Sequence, residues 1–157
     1  MGADLTILNE DHSGSEPTAD LLVRSSSLKG TVIGGSVIPA MIDELPTVAL
    51  MACFAQGRTV IRDAAELKVK ESNRIAAMVA ELTKAGVDVE ETDDGMIIYG
   101  GRPLHGAAVS AHMDHRIAMT FAVAALAAEG TTELQDADCV SISYPGFYSD
   151  LKRLVRS

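Results

Sequence analysis

Two short charged segments hold the side chains best suited to chemistry. The first, Lys68-Val69-Lys70-Glu71-Ser72-Asn73-Arg74, puts three cations and one carboxylate between a predicted strand and a predicted amphipathic helix. The second, Asp114-His115-Arg116, opens an otherwise apolar helical run. Arginine offers a planar fork to phosphate or carboxylate, and lysine offers a compact charge or a proton. Because the formal net charge is -9, such a local concentration of basic residues predicts a pocket for an anion.

Each segment also has a purely structural interpretation. On a helix start, Glu71 and Arg74 are three residues apart and Lys70 and Arg74 are four apart, so these side chains would share a solvated face. In the second segment, Asp114 would cap the helix while the two residues after it face solvent. The residue pattern alone leaves both interpretations open.

Asp43 is a third candidate, at the start of a nearly wholly apolar stretch. Residues 43–54 predict a buried helix, because Pro46 fits within a first turn. Asp43 is then either the N-cap of this helix or a general base whose protonation is tuned by nearby cations. The histidines in loop-like sequence are assigned no specific role: His12, His105 and His112.

The elements that position these residues belong to a globular chain. Its 157 residues are enough to bury a core in one domain, and 47% hydrophobic and 22% charged residues are typical of such a fold. The sequence lacks an uninterrupted apolar span of about 18 residues and a signal-peptide pattern, which predicts a cytoplasmic protein without membrane contact. An isoelectric point near 4.8 argues against nucleic acid as a partner. Cys53 and Cys139 fit no CxxC or zinc spacing and are predicted to be reduced structural thiols, so no metal site is expected.

Hydrophobic periodicity predicts alternating strands and helices. An apolar stripe at i, i+3, i+4 and i+7 from Ile75 predicts a helix that opens with residues 71–74 and stops at Gly86. Asp94-Gly95 between two alternating segments predicts a β-hairpin. The other predicted elements are strands at 3–9, 21–23, 59–62 and 132–135 and helices at 114–128 and 147–155.

One internal repeat is visible, at a period of 73 residues. Residues 55–64 align with residues 128–137, and each copy follows a predicted buried helix. At this period Asp43 and Arg116 are equivalent, at the N-terminal ends of the two helices, where unpaired N–H groups favour an anion. The repeat predicts two copies of one unit with a boundary near residues 64–70.

Four motifs occur together in the order and spacing of one enzyme family. They are Ile38-Pro-Ala-Met-Ile-Asp-Glu-Leu-Pro46, the charged segment 68–74, Asp114-His-Arg-Ile-Ala-Met119 and Ser143-Tyr-Pro-Gly-Phe147. On these residues the whole chain resembles 5-enolpyruvylshikimate-3-phosphate synthase, also called 3-phosphoshikimate 1-carboxyvinyltransferase. The resemblance covers only about the last third of that family, so the chain is expected to be a C-terminal fragment.

The resemblance implies an α/β fold of repeated βαβαββ-type units, shared with enolpyruvyl transferases and RNA cyclases. Residues 1–157 would be a partial domain, with about two of the three units that make one of the family's two domains. Substrate motifs from the N-terminal part of the family have no counterpart here, and the family's active site lies in the cleft between its domains. The chain is therefore expected to supply one wall of a site, to need the missing N-terminal portion as its partner, and to be inactive alone.

The resemblance also implies a reaction and residue roles. The 5-hydroxyl of shikimate 3-phosphate adds to C2 of phosphoenolpyruvate, and the tetrahedral intermediate expels phosphate, with no metal or organic cofactor. Asp43 would be the base at the hydroxyl and, with Lys70, a contact of shikimate 3-phosphate. Glu71 would transfer a proton at the methylene carbon. The side chains that would bind phosphoenolpyruvate are Glu71, Arg74, His115 and Arg116.

Two positions depart from the pattern of some family members: Glu66 stands where they carry Asn, and Ile142 where they carry Lys. Two other functions stay open as alternatives. A relative of UDP-N-acetylglucosamine enolpyruvyl transferase would need a reactive loop cysteine and would lack the pairing of Lys-x-Lys-Glu with Asp-His-Arg. A non-catalytic anion-binding structural module is the alternative from a different class.

Overall fold

Strands and helices alternate along the chain in the structure, a computed structural model that describes residues 1–155. The strands are β1 Asp4–Asp11, β2 Thr18–Arg24, β3 Val32–Ile33, β4 Gly57–Ile61, β5 Asp88–Thr92, β6 Gly95–Gly100, β7 Ala108–Ser110 and β8 Glu133–Gln135. The α-helices are α1 Ile38–Met41, α2 Leu45–Phe54, α3 Arg74–Lys84, α4 His115–Ala124 and α5 Phe147–Val155. Short 3-10 segments lie at Gly35–Val37, Ile42–Glu44, Ala65–Val69 and Ala137–Ile142.

The strands form three separate sheets. The largest has the order β3-β4-β6-β5, with β3 parallel to β4 and the other pairs antiparallel. The predicted hairpin between β5 and β6 is confirmed, but Thr92 pairs with Gly95, so its loop residues are Asp93 and Asp94. Gly95 is required for a different reason: a Cβ there would lie 2.0 Å from the carbonyl oxygen of Ile61. The other sheets are the β1–β2 hairpin and the parallel pair β7–β8.

Two parallel strand pairs each enclose a buried helix, α2 between β3 and β4, and α4 between β7 and β8. Each pair is preceded by a glycine at the same relative place. A Cβ on Gly30 would lie 2.3 Å from the carbonyl oxygen of Arg58, and one on Gly106 would lie 2.3 Å from that of Thr131. Each of the two strand-helix-strand units therefore contains an equivalent close backbone contact at its glycine. The unit boundary near residues 64–70 stays a prediction.

The core lies between the four-stranded sheet and helices α2, α3 and α4. Ile61 and Ile98 enter it from the sheet, Leu82 from α3 and Phe121 from α4, all at most 2% exposed. Burying each such side chain stabilises the fold by roughly 1.5–3 kcal/mol. Because the three helices pack on one core, their N-terminal ends are held in fixed relative positions, and these ends carry the charged motifs.

One helical run, Gly35–Phe54, is long and apolar enough to cross a membrane by length and composition alone. That criterion is weak, because the core helix of a globular protein meets it too. The run consists of short segments, α1 and α2 with 3-10 turns, and it contains Asp43 and Glu44. Six of the ten residues of α2 are buried in the protein core, so we interpret α2 as a core helix.

Helix boundaries differ from the predictions in three places. The helix predicted from residue 43 begins at Leu45. The helix predicted to open at Glu71 begins at Arg74, because Asn73 is non-helical and its side chain caps the helix by accepting the N–H of residue 76 at 3.2 Å. The helix predicted over 114–128 ends at Ala124, where the chain tightens into i to i+3 bonds over residues 123–127.

Both cysteines are buried free thiols, as predicted. Burial raises the pKa of Cys53 to about 12 and also raises that of Cys139. Both are therefore protonated and poorly nucleophilic at neutral pH.

Candidate functional site

Arg74, the first residue of α3, is the centre of the candidate site. Its side chain is 1% exposed, and it donates to carboxylates from three segments of the chain. Nε donates to Asp114 at 2.8 Å, Nη1 to Asp43 at 2.9 Å, and Nη2 to Glu71. Burial alone would lower the pKa of Arg74, but the hydrogen bonds and charges of these carboxylates raise it. Arg74 is therefore a charged, buried residue whose hydrogen bonds link three segments of the chain.

Asp114 is the N-cap of α4 and the main partner of Arg74. It is fully buried, and its carboxylate accepts the backbone N–H of Arg116 at 2.9 Å and the hydroxyl of Ser72 at 3.0 Å. Burial would raise the pKa of Asp114, but the hydrogen bond and charge of Arg74 and the other two donors outweigh it and lower that pKa. The predicted cap is confirmed, and the same carboxylate also anchors Arg74.

Asp43 lies in the 3-10 segment Ile42–Glu44, which directly precedes α2. The N-cap alternative for Asp43 is wrong, because the cap position is Glu44 and neither side chain bonds to the helix N–H groups. Its carboxylate instead faces Arg74 Nη1 at 2.9 Å, Arg116 Nη2 at 3.6 Å and Lys70 Nζ at 3.9 Å. Partial burial raises the pKa of Asp43, but these three cations lower it overall. The side chain stays 44% exposed, so a solute can reach it.

Arg116 joins the two copies of the sequence repeat. Its Nη1 donates to the backbone carbonyl of Asp43 at 3.0 Å and to the carboxylate of Glu44 at 2.9 Å. Asp43 and Arg116 are the positions that the 73-residue period makes equivalent, and here they are in contact. The interpretation that Arg116 simply faces solvent is wrong, since its side chain is only 29% exposed and is bound on one side.

Lys70 lies just outside α3, after the 3-10 segment Ala65–Val69. Its ammonium is 2.6 Å from Glu66 and 3.9 Å from Asp43, and the bond to Glu66 raises its pKa. Glu66 is one of the two positions that depart from the pattern of some family members, and here it gives Lys70 a carboxylate partner. Lys68 is directed elsewhere, 3.7 Å from Glu91 on β5.

We call these side chains the charged cluster: Asp43, Lys70, Glu71, Arg74, Asp114 and Arg116. Its three cations meet three carboxylates, and Glu44 and Glu66 add two more at the rim. Every cation in it is therefore paired with protein carboxylates. An incoming anion must therefore compete with these carboxylates for the cations, or be bound also by cations from outside the cluster.

A groove of about 200 Å³ lies beside the charged cluster, between α2 and α4. Asp43 and Arg116 form its polar end, and Leu50, Val123 and Phe147 form part of its apolar wall. His115, predicted with Arg116 to bind an anion, does not line this groove. Within residues 1–155, the side chain of His115 makes no hydrogen bond or ion pair. In that described part of the chain, no group of three or more His, Cys, Asp or Glu side chains is placed to hold a metal ion.

Sequence reasoning missed two features of this region. Ser72 was not assigned a role, yet it binds Asp114; its position inside the charged segment was the available signal. His112 was also assigned none, yet its ring lies 2.8 Å from the buried carboxylate of Glu81. A glutamate on the apolar face of a predicted helix is the signal that would have found this pair.

Comparison with known proteins gives matches to one enzyme family. The family model for EPSP synthase (3-phosphoshikimate 1-carboxyvinyltransferase) matches residues 1–151. A 3-phosphoshikimate 1-carboxyvinyltransferase of Gloeobacter violaceus is 54% identical over 154 residues, 98% of this chain and 36% of that protein. One of Bacillus cereus is 52% identical over 156 residues, 99% of this chain and 36% of that protein.

Solved structures give the same relationship. An EPSP synthase structure from Acinetobacter baumannii superposes with a TM-score of 0.91 at 40% identity, covering 98% of this chain and 36% of that one. The enolpyruvyl transferase NikO of Streptomyces tendae superposes with a TM-score of 0.69 at 23% identity, over 97% of this chain and 33% of that one, which shows a shared fold. The chain thus spans about 36% of the length of these EPSP synthase relatives, and it belongs to the EPSP synthase (3-phosphoshikimate 1-carboxyvinyltransferase) family.

Proposed function

We propose that this chain forms one wall of the active site of a cytoplasmic 3-phosphoshikimate 1-carboxyvinyltransferase. Such an enzyme moves the enolpyruvyl group of phosphoenolpyruvate to the 5-hydroxyl of shikimate 3-phosphate and releases phosphate. One observation carries the proposal: the partly exposed carboxylate of Asp43 lies between Arg74 and Arg116. A base next to fixed guanidinium groups suits a reaction that removes a hydroxyl proton beside an anionic substrate.

Asp43 and Glu71 carry the proton transfers in this proposal. Asp43 accepts the proton of the attacking hydroxyl, and its lowered pKa supports this role because the group is a carboxylate at neutral pH. The hydroxyl oxygen bonds to C2 of phosphoenolpyruvate while Glu71 delivers a proton to the methylene carbon. The tetrahedral intermediate then loses phosphate, which leaves with the proton held by Asp43, and Glu71, now a carboxylate, removes a methyl proton to restore the double bond.

The basic residues hold the anionic substrates. Lys70 contacts shikimate 3-phosphate, while Arg74, His115 and Arg116 bind the phosphate and carboxylate of phosphoenolpyruvate. Because the cations of the charged cluster are already paired with carboxylates, we expect the 157-residue chain alone to bind either substrate weakly. Turnover requires the remaining part of the enzyme, which would close the site and add further ligands.

The alternative functions have less support. A UDP-N-acetylglucosamine enolpyruvyl transferase would lack the pairing of Lys-x-Lys-Glu with Asp-His-Arg, which this chain carries at residues 68–71 and 114–116. A non-catalytic structural module would show no change in phosphate release when Arg116 is replaced, so an Arg116→Ala variant tests this alternative.

A chimeric enzyme tests the proposal. This chain replaces the matching 36% of the Gloeobacter violaceus relative, and phosphate release is measured with phosphoenolpyruvate and shikimate 3-phosphate. We expect turnover by the chimera and none by the 157-residue chain alone. Arg116→Ala should reduce kcat/KM about 10²- to 10³-fold, since it removes a cation from the developing charge. Arg102→Ala, at an exposed position outside the site, is the matched control.

Two results would overturn the proposal. One is a folded chimera that accepts UDP-N-acetylglucosamine and not shikimate 3-phosphate. The other is a folded chimera whose phosphate release is equal in the Arg116→Ala and Arg102→Ala variants.

A further inference from the structure

Glu81 is a buried carboxylate on α3 outside the charged cluster. Its side chain is 1% exposed. Oε2 is 2.7 Å from Lys84 Nζ and accepts the backbone N–H of Ser110 at 3.1 Å, and Oε1 is 2.8 Å from His112 Nε2. Burying a carboxylate is costly unless its partners compensate, so its presence in an apolar helix face needs a structural reason.

The segment that Glu81 contacts contains an unusual turn. His112 has φ 52° and Met113 has φ 58°, two consecutive non-glycine residues in the left-handed region. Histidine tolerates this region better than most residues, whereas methionine has no such preference. Such a turn persists only where neighbouring groups fix it.

Glu81 fixes the turn at two points. It accepts the N–H of Ser110 before the turn and binds the ring of His112 within it. The hydroxyl of Ser110 completes the arrangement by accepting the N–H of His112 at 3.0 Å and donating to Asp136 at 3.1 Å. Helix α3 thus holds the segment 110–114 twice, through Glu81 and, seven residues earlier, through the bond of Arg74 to Asp114.

We propose that Glu81 is a positioning residue for the charged cluster. Through His112 and the N–H of Ser110 it holds the left-handed turn that sets Asp114 against Arg74. Glu81 does not touch a substrate; it acts on the geometry of the residues that would. The relevance of this geometry to catalysis rests on the proposed function, but the effect on Arg74 does not. The competing explanation is that Glu81 only strengthens α3 through its i, i+3 pair with Lys84.

The Nε–H of Arg74 reports this geometry directly, because it donates to Asp114 in a buried place. In the ¹⁵N-labelled 157-residue chain its resonance is assigned by its loss in Arg74→Lys, and its hydrogen-exchange rate is measured. Glu81→Gln keeps the side-chain size and removes the charge. We expect the exchange rate to rise about ten-fold or more, because the turn opens more often. Glu90→Gln, an exposed glutamate on β5, should leave the rate unchanged.

Rescue separates positioning from simple helix stabilisation. Met113→Gly removes the cost of the left-handed conformation, so the turn needs less support. Adding Met113→Gly to Glu81→Gln should therefore bring the Arg74 exchange rate back toward the wild-type value. Lys84→Ala, which removes only the pair within α3, should change that rate less than Glu81→Gln does.

His112→Asn is the second variant, in case Glu81→Gln does not fold. Asparagine also tolerates the left-handed region but lacks the ring contact, so the Arg74 exchange rate should rise. The inference is overturned if the rate is unchanged in whichever of these variants is folded, or if Lys84→Ala raises it as much. Phosphoenolpyruvate binding to the chimera is a separate readout: its absence would contradict the proposed function and leave the Arg74 result intact.

Discussion

Asp114 combines a structural and a functional position in one carboxylate. It caps α4, accepts Arg74 Nε at 2.8 Å and receives the hydroxyl of Ser72. Arg74 also binds Asp43 and Glu71, the two proposed proton-transfer groups. Their placement therefore depends on Asp114, although Asp114 contacts neither substrate in our proposal. Removing one partner of such a buried ion pair is strongly destabilising, because it leaves the other charge buried without compensation.

Asp114→Asn tests this dependence. The variant keeps the shape of the side chain but leaves Arg74 with less negative charge, so we expect the free energy of unfolding at pH 7 to fall by about 3 kcal/mol. Urea denaturation followed by circular dichroism gives the value. Asp88→Asn, at an exposed position on β5, should change it by less than about 0.5 kcal/mol.

The difference between wild type and Asp114→Asn should depend on pH. The pKa of Asp114 is lower in the folded state than its ordinary value of 3.8, so its stabilising contribution is fully present above that value. The contribution decreases as the pH falls below about 4 and is lost once the pH passes the folded pKa. A difference that stays constant down to pH 2, or grows on acidification, would contradict the assigned ion pair.

At the scale of elements, strand β4 buries one polar side chain, Thr59, whose hydrogen bonding is not satisfied within the described part of the chain. The hydroxyl of Thr59 is buried and, among residues 1–155, has no hydrogen-bond partner. An unpaired buried hydroxyl costs free energy that an isosteric methyl group does not.

Thr59→Val should therefore stabilise the chain, by about 1 kcal/mol, because it replaces this hydroxyl with a methyl group. Thr59→Ser is the matched comparison: it keeps the hydroxyl, loses the methyl group and should be destabilising. Thermal unfolding of the three proteins under one condition decides the order. A melting temperature for Thr59→Val below that of wild type would show that the hydroxyl has a partner.

Periodicity and turn chemistry predicted most of these elements, because strands and helices here follow local apolar patterns. The sequence also indicated that Asp43 and Arg116 are equivalent, and the motif resemblance gathered the residues of the site. It did not predict the contacts of Arg74 with Asp43 and Asp114 or of Arg116 with Asp43, since these join residues 31 to 73 positions apart. Local spacing instead suggested that Lys70 and Arg74 share a helix face, whereas Asn73 caps α3 and the helix begins at Arg74, so Lys70 lies outside it.

At the scale of the whole molecule, the β1–β2 hairpin is the least covered part. Its large apolar side chains are exposed by 38–63%: Leu5, Ile7, Leu8, Leu21, Leu22 and Val23. Contiguous apolar surface on a strand pair with free edges favours association. The relatives are nearly three times as long, so most of the chain that would surround such a hairpin in them lies outside this polypeptide.

We expect the isolated 157-residue chain to self-associate as its concentration rises. Val23→Lys, on β2, should weaken that association roughly ten-fold by adding charge to the exposed strand. Ile142→Lys adds the same charge at a comparably exposed position outside the hairpin and serves as the control. Sedimentation equilibrium measures both constants, and equal weakening by the two variants would place the contact elsewhere.

The contact of Arg116 with Asp43 has a further consequence for how the protein acquires its site. Closing it brings together residues 73 positions apart, so it belongs to the slow, non-local part of folding, after each strand-helix-strand unit has formed its local contacts. A folding intermediate with intact helices would still lack the site. By mass action, a ligand that bridges these two residues would shift the folding equilibrium toward the state in which the two strand-helix-strand units are packed together. It would not stabilise either unit alone.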